Sequence, residues 1–193
     1  MIKILFNPFA KFSDKFLIIF GIISTLLGLS LSWFFNAQFD GVLDLHFNGS
    51  INIYESLVLI LIDIIILVVL LFALAKFINN KSRIMDVIIA ILIARTPIYL
   101  LALMNINNKM FEIGAIINAK ILKGEMNNVP FSLQTILIIT SLISLLAIIW
   151  FSVLLFNGFK IATNLKERKH IVFFVITLLL AEIISKIVIS YSI

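Results

Sequence analysis

Long apolar stretches alternate with short polar ones along the whole chain. The apolar stretches run at about Phe16–Phe35, Ile53–Ile78, Val87–Met104, Leu133–Phe156 and Ile171–Tyr191. Each is close to or above the roughly 20 residues that an α-helix needs to cross a hydrocarbon layer of about 30 Å. The pattern predicts an all-α fold, a polytopic transmembrane bundle with five membrane-spanning helices. No interval has the composition of a linker and no repeat is evident, so residues 1–193 are expected to form a single integral membrane domain.

Composition agrees with that class. The chain is 62% hydrophobic, holds 18 phenylalanines and is only 13% charged. Soluble domains carry about a quarter charged residues. This chain has too few to cover a core with polar surface. Basic residues precede "FLIIFGIISTLLGLSLSWFF", but that stretch is longer than a signal-peptide core and no A-x-A site follows. A retained first helix is the expectation.

The net charge of +5 is distributed by topology. The N-terminal tail holds Lys3, Lys11 and Lys15. Loop two, "NNKSRIMD", holds Lys81 and Arg83, with Lys76 just before it. Loop four, "NGFKIATNLKERKH", holds Lys160, Lys166, Arg168 and Lys169. Loop one, "NAQFDGVLDLHFNGS", has Asp40 and Asp44 and no lysine or arginine. The positive-inside rule then puts the N-terminus in the cytosol and the C-terminus outside. Loop three, with Lys109, Lys120 and Lys123, is basic yet external in this scheme. Within it "KMFEIGAIINAKILKG" reads either as a short interfacial helix or as a loop covering the helix ends.

The polar residues inside the apolar runs are the candidate chemistry. In "IIAILIARTPIYLLALM", Arg95 falls about 13 Å into the third helix, near the midplane. A guanidinium there needs a carboxylate, carbonyls or water. Pro97 removes the amide that would serve the carbonyl of Ile93 and bends the helix. Arg95 and Thr96 are positioned to help satisfy the freed carbonyls. Asp63 in the second helix and Glu182 in the fifth lie at similar depth, and either is a candidate partner for Arg95. Lys186 follows Glu182 by one helical turn and shares its face. Two readings stand for the cluster of Asp63, Arg95, Pro97, Glu182 and Lys186. It is a structural ion-pair network that fixes helix register, or it is a substrate or proton site.

A second pattern concerns packing. Gly21, Ser24, Thr25, Gly28 and Ser32 form a stripe of small residues along the first helix, suited to a tight helix contact within the chain or between two copies. Ser141, Ser144 and Ala147 make a similar stripe on the fourth. Cysteine is absent, and His46 and His170 lack ligand-spaced partners, so neither metal nor cofactor is expected. No phosphate-binding glycine loop, H-E-x-x-H or G-x-S-x-G motif occurs, and no enzyme class is indicated.

Three stretches carry a family resemblance: "LFNPFAKF" before the first helix, "MDVIIAILIARTPIYLLALM" with Asp86, Ala94, Arg95 and Pro97, and "FNGFKIATNLKERKHIVFFVITLLLAEIISKIVI" at the end. The arrangement resembles bacterial-type members of the Yip domain family. The resemblance implies five membrane helices, a cytosolic N-terminus, no catalytic activity and a bacterial inner-membrane location. Eukaryotic relatives in that family are associated with small GTPases and vesicle trafficking and have a long cytosolic N-terminal region with an Asp-Leu-Tyr-Gly-Pro-type motif; no such motif precedes the first helix here, so GTPase binding is not expected. The function expected is that of a non-enzymatic membrane protein that organises or binds other membrane components; the alternative is a small transporter with a charged site at mid-membrane. The partners expected are the lipid bilayer and either other membrane proteins or a second copy of the chain, with no role for nucleic acid.

Overall fold

The computed structural model describes residues 2–125 and 129–192. Part of the third loop and the two terminal residues lie outside that description. Five helical stretches are long and apolar enough to cross a membrane. They contain α2 (Asp14–Phe34), α3 (Ile53–Ile78), the α4–α5 unit (Ile84–Ala94 and Thr96–Leu100), α7 (Phe131–Thr163) and α8 (Lys169–Ser192). Two shorter helices flank them: α1 (Ile2–Phe6) at the N-terminus and α6 (Lys109–Leu122) in the third loop.

Local sequence explains the ends. Ser13 caps α2 by accepting from the Phe16 amide at 3.4 Å. Asn52 and Glu55 form a reciprocal capping box at the start of α3. "NINN" ends the third span: Asn107 and Asn108 both sit at φ 57°, in the left-handed region that asparagine tolerates. Buried Asn105 then accepts from the amides of Met110 and Phe111 at 3.0 and 3.1 Å, securing the start of α6.

The burial pattern is that of a bundle in lipid. Along α2 the buried residues are Leu17, Gly21, Ser24, Gly28 and Ser32, while Ile19, Ile23, Leu26 and Leu27 are exposed. On α2, apart from Leu17, large apolar side chains face outward and small or polar ones face the neighbouring helices. Lipid is as apolar as leucine, so close backbone approach and hydrogen bonds decide the inner face. The α4–α5 unit is the central element: every residue from Ile89 to Tyr99 except Thr96 is buried.

The ends of the bundle differ in charge. Asn79 donates to the Thr163 carbonyl at 3.3 Å, and Arg83 lies 3.6 Å from Asp14. These contacts bring the N-terminal segment, loop two and loop four to one end, with ten of the 15 lysines and arginines. Loops one and three meet at the other end, where Asn36 donates to Asn108 at 3.0 Å.

Loop one is not a simple polar connection. Ala37–Gln38 and His46–Phe47 pair as a minimal antiparallel ribbon, and the turn between them folds into the bundle. Ala37, Phe39 and Val42 are fully buried, and the Phe39 ring meets Tyr99 edge-on at 5.5 Å.

Candidate functional site

The charged residues of the candidate cluster separate into two groups, of which only the first is fully buried. In the first, Arg95 and Asp63 are both 0% exposed, and Arg95 Nη2 lies 2.9 Å from Asp63 Oδ2. Arg95 Nε donates to the Tyr99 hydroxyl at 3.2 Å, with the guanidinium 5.4 Å from the Tyr99 ring centroid. Ser185 of α8 donates to the other Asp63 oxygen. Four side chains from three spans therefore meet at one buried point. Nη1 of Arg95 is buried without a hydrogen-bond partner.

Local chain geometry puts Arg95 there. Proline lacks an amide and clashes with the carbonyl four residues before it. The helix accordingly stops at Ala94 and restarts at Thr96, with Arg95 as the joint. Sequence reasoning assigned Arg95 and Thr96 to the freed carbonyls. Their side chains instead leave the helix: the Thr96 and Ser24 hydroxyls bond at 2.8 Å, and Arg95 reaches α3. Partners on other helices draw both groups away from the break.

Glu182 and Lys186 belong to the second group, near the turn of loop one. Glu182 Oε2 accepts from the Leu43 amide at 2.7 Å. Lys186 lies 3.5 Å from Glu182 and also bonds Asp44. His46 Nδ1 lies 2.7 Å from Asp40 in the same loop. A Cβ on Gly41 would sit 2.7 Å from a Glu182 oxygen, so glycine lets the loop come this close. Among the two candidate carboxylates for Arg95, Asp63 is the one within bonding distance.

Charge in this loop is tuned by its neighbours. The Asp40 hydrogen bond raises the His46 pKa above its usual 6.5, against a lesser effect of burial. Burial alone would raise that of Asp44, but the hydrogen bonds from Lys186 and Leu45 hold it below the ordinary aspartate value. Asp40, Asp44 and His46 offer donor atoms within 4.8 Å of one another. Lys186 already supplies a positive charge to Asp44 there, and His46 Nδ1 is engaged by Asp40.

The small-residue stripe meets the central unit. A Cβ on Gly21 would lie 2.7 Å from Leu92 Cβ, and one on Gly28 would lie 2.5 Å from the Tyr99 ring. Thr25 bonds back to the Gly21 carbonyl at 2.9 Å. Ser32 donates to the Ala37 carbonyl at 2.6 Å, and its hydroxyl oxygen is bonded to the Ser56 hydroxyl at 2.8 Å. The stripe thus touches the ring that also touches Arg95.

Tyr99, Ser185 and the Asp40–Asp44–His46 set were not singled out from the sequence. Tyr99 follows Arg95 by one turn, and Ser185 lies three residues after Glu182. These spacings were the available signals.

An all-helical bundle with charges sealed at its centre and one basic end defines a polytopic integral membrane protein. The chain belongs to the Yip1 domain family, whose model matches residues 4–189. No curated protein and no solved structure matches it.

Proposed function

We propose that this protein organises or binds other membrane components without catalysing a reaction. The observation that carries the reading is the sealed pair. Arg95 and Asp63 are each 0% exposed and bonded to one another across two spans. A transport or proton site must reach water in some state, whereas a pair that is fully sealed and mutually bonded, as here, is what a register-fixing contact requires. The same reading takes the basic end as cytosolic, with the N-terminus inside, the C-terminus outside and a bacterial inner membrane as the location. The excess of lysine and arginine at that end supports the orientation.

A small transporter is the second reading, favoured by one feature. Arg95 Nη1 is a buried donor left without a partner at a helix break. Cross-linking in intact membranes, followed by gentle solubilisation and capture, separates the two. A reproducible membrane-protein or lipid adduct supports the organising role. A thermal shift of the purified protein that depends on a specific solute, and is lost in Arg95→Met with Asp63→Leu, would overturn it.

A further inference from the structure

The N-terminal residues before α2 fold back along the bundle as a strap. Trp150 donates its indole N–H to the Leu5 carbonyl at 2.9 Å, and Asn157 donates to the Phe6 carbonyl at 2.8 Å. The Phe6 and Trp150 rings meet edge-on at 6.5 Å. Strap, α2 and α7 together enclose a groove of about 350 Å³. Its walls include Ile4, Phe12, Phe20, Ile93, Trp150 and Leu154. Thr96 also lines it, but its hydroxyl is engaged by Ser24 at 2.8 Å. The wall is apolar almost throughout.

The segment that makes this wall is basic. Lys3, Lys11 and Lys15 are exposed on it, each next in sequence to a residue lining the groove. Lys11 Nζ lies 5.9 Å from the Phe12 ring centroid. The acidic residue of the segment, Asp14, has Arg83 at 3.6 Å. An apolar groove whose wall-forming segment also bears three exposed lysines is complementary in chemistry to a molecule with a hydrocarbon chain and an anionic head.

We propose that the groove holds one acyl chain of an anionic phospholipid, with the headgroup phosphate met by Lys3, Lys11 and Lys15. Burial of the chain supplies the apolar part of the affinity. The lysines supply selectivity, roughly fivefold for each one near the headgroup. The occupant deepens the organising role by naming a lipid as a bound component. A protein adduct in intact membranes without selective lipid retention would sink only the lipid claim, and selective retention beside a solute-dependent thermal shift would sink only the organising role.

The test is native mass spectrometry of delipidated, detergent-solubilised full-length protein. It is mixed with equal amounts of dioleoyl phosphatidylglycerol and dioleoyl phosphatidylcholine, which share their chains and differ in charge. One phosphatidylglycerol should be retained at least tenfold over phosphatidylcholine. The surface variant Lys3→Gln with Lys11→Gln and Lys15→Gln should lose most of that preference. Ile4→Trp, which fills the groove from the strap, should reduce retention of both lipids. Glycerol phosphate, the head without chains, should displace neither. Equal retention of the two lipids by the parent, an undiminished preference in the lysine variant, or displacement by glycerol phosphate would each overturn the proposal.

Discussion

Replacing the two buried charges singly and together tests the central geometry. At 2.9 Å and an effective dielectric of about 20, the Arg95–Asp63 attraction is about 6 kcal/mol before desolvation is counted. Removing two ions from a wetter environment costs several kcal/mol each. The two terms nearly cancel, so the pair's net contribution is small while an unmatched charge is costly. Asp63→Leu leaves a guanidinium that cannot shed its proton. Arg95→Met leaves a carboxylate that can take up a proton and keep its hydrogen bond with Ser185. We therefore expect Asp63→Leu to cost more, near the upper end of the roughly 3–5 kcal/mol range for a broken buried pair, and Arg95→Met to fall at the lower end. The double variant also removes the unpartnered Nη1, and its stability should return to within about 2 kcal/mol of the parent. On the scale of soluble chains of this length, the worse single change corresponds to a fall on the order of 10 °C. Thermal unfolding in one detergent, read as a double-mutant cycle, measures the coupling. Additive losses, or an Arg95→Met variant less stable than Asp63→Leu, would refute the argument. A parallel cycle of Arg95 with Glu182 should show no direct coupling, because Glu182 is engaged by loop one.

Three further outcomes follow from specific contacts. Gly28→Ala puts a Cβ 2.5 Å from the Tyr99 ring and should lower detergent stability by about 1–3 kcal/mol; Gly28→Leu should be worse, and a variant as stable as the parent would mean that the α2–α5 contact is absent. The folded-state pKa of His46 is raised, so its stabilisation is complete below the unfolded value near 6.5 and is lost as pH rises through the folded value. Unfolding temperature should therefore decline modestly across that window, and His46→Gln should remove that part of the slope; an unchanged slope in the variant would contradict the Asp40 pairing. The chain has no cysteine, so single substitutions report sidedness: Asn80→Cys and Lys166→Cys should be protected from an impermeant maleimide added outside intact cells, and Ser50→Cys should react, with the opposite pattern reversing the orientation.

The spans were legible because twenty or so apolar residues admit few alternatives in a membrane protein. The charged residues at depth were legible for the same reason, since each interrupts a run in which its cost is high. The choice between Asp63 and Glu182 was not legible. Both lie at similar linear depth, and their separation depends on loop one, whose polar sequence resembles a solvated turn. Phe39 and Val42 are the residues that take the loop inward, and single apolar residues interspersed with Gln, Asp and Gly give little warning of it. Glu182 then meets the Leu43 amide, which no side-chain pattern could have indicated.

The same difficulty applies to helix facing. In water, the apolar side of a helix identifies its buried side. In lipid, Ile19 and Leu26 are exposed while Gly21 and Ser24 are buried, so apolarity alone gives no direction. The useful residues are those that permit close approach or require a partner. Gly28 admits the Tyr99 ring, Ser24 meets Thr96 beside the helix break, and Ser32 meets Ser56 on α3. These three positions orient α2 against two neighbours without using any large apolar side chain. The central unit follows from that constraint. A proline break at Arg95 costs backbone hydrogen bonding, and it is placed where α2 supplies a hydroxyl, α3 a carboxylate and α8 a second hydroxyl to the surrounding groups. A break facing lipid would have no such partners. The location of "ARTP" in the most enclosed span is thus a physical requirement of having a charge and a proline within a long apolar helix.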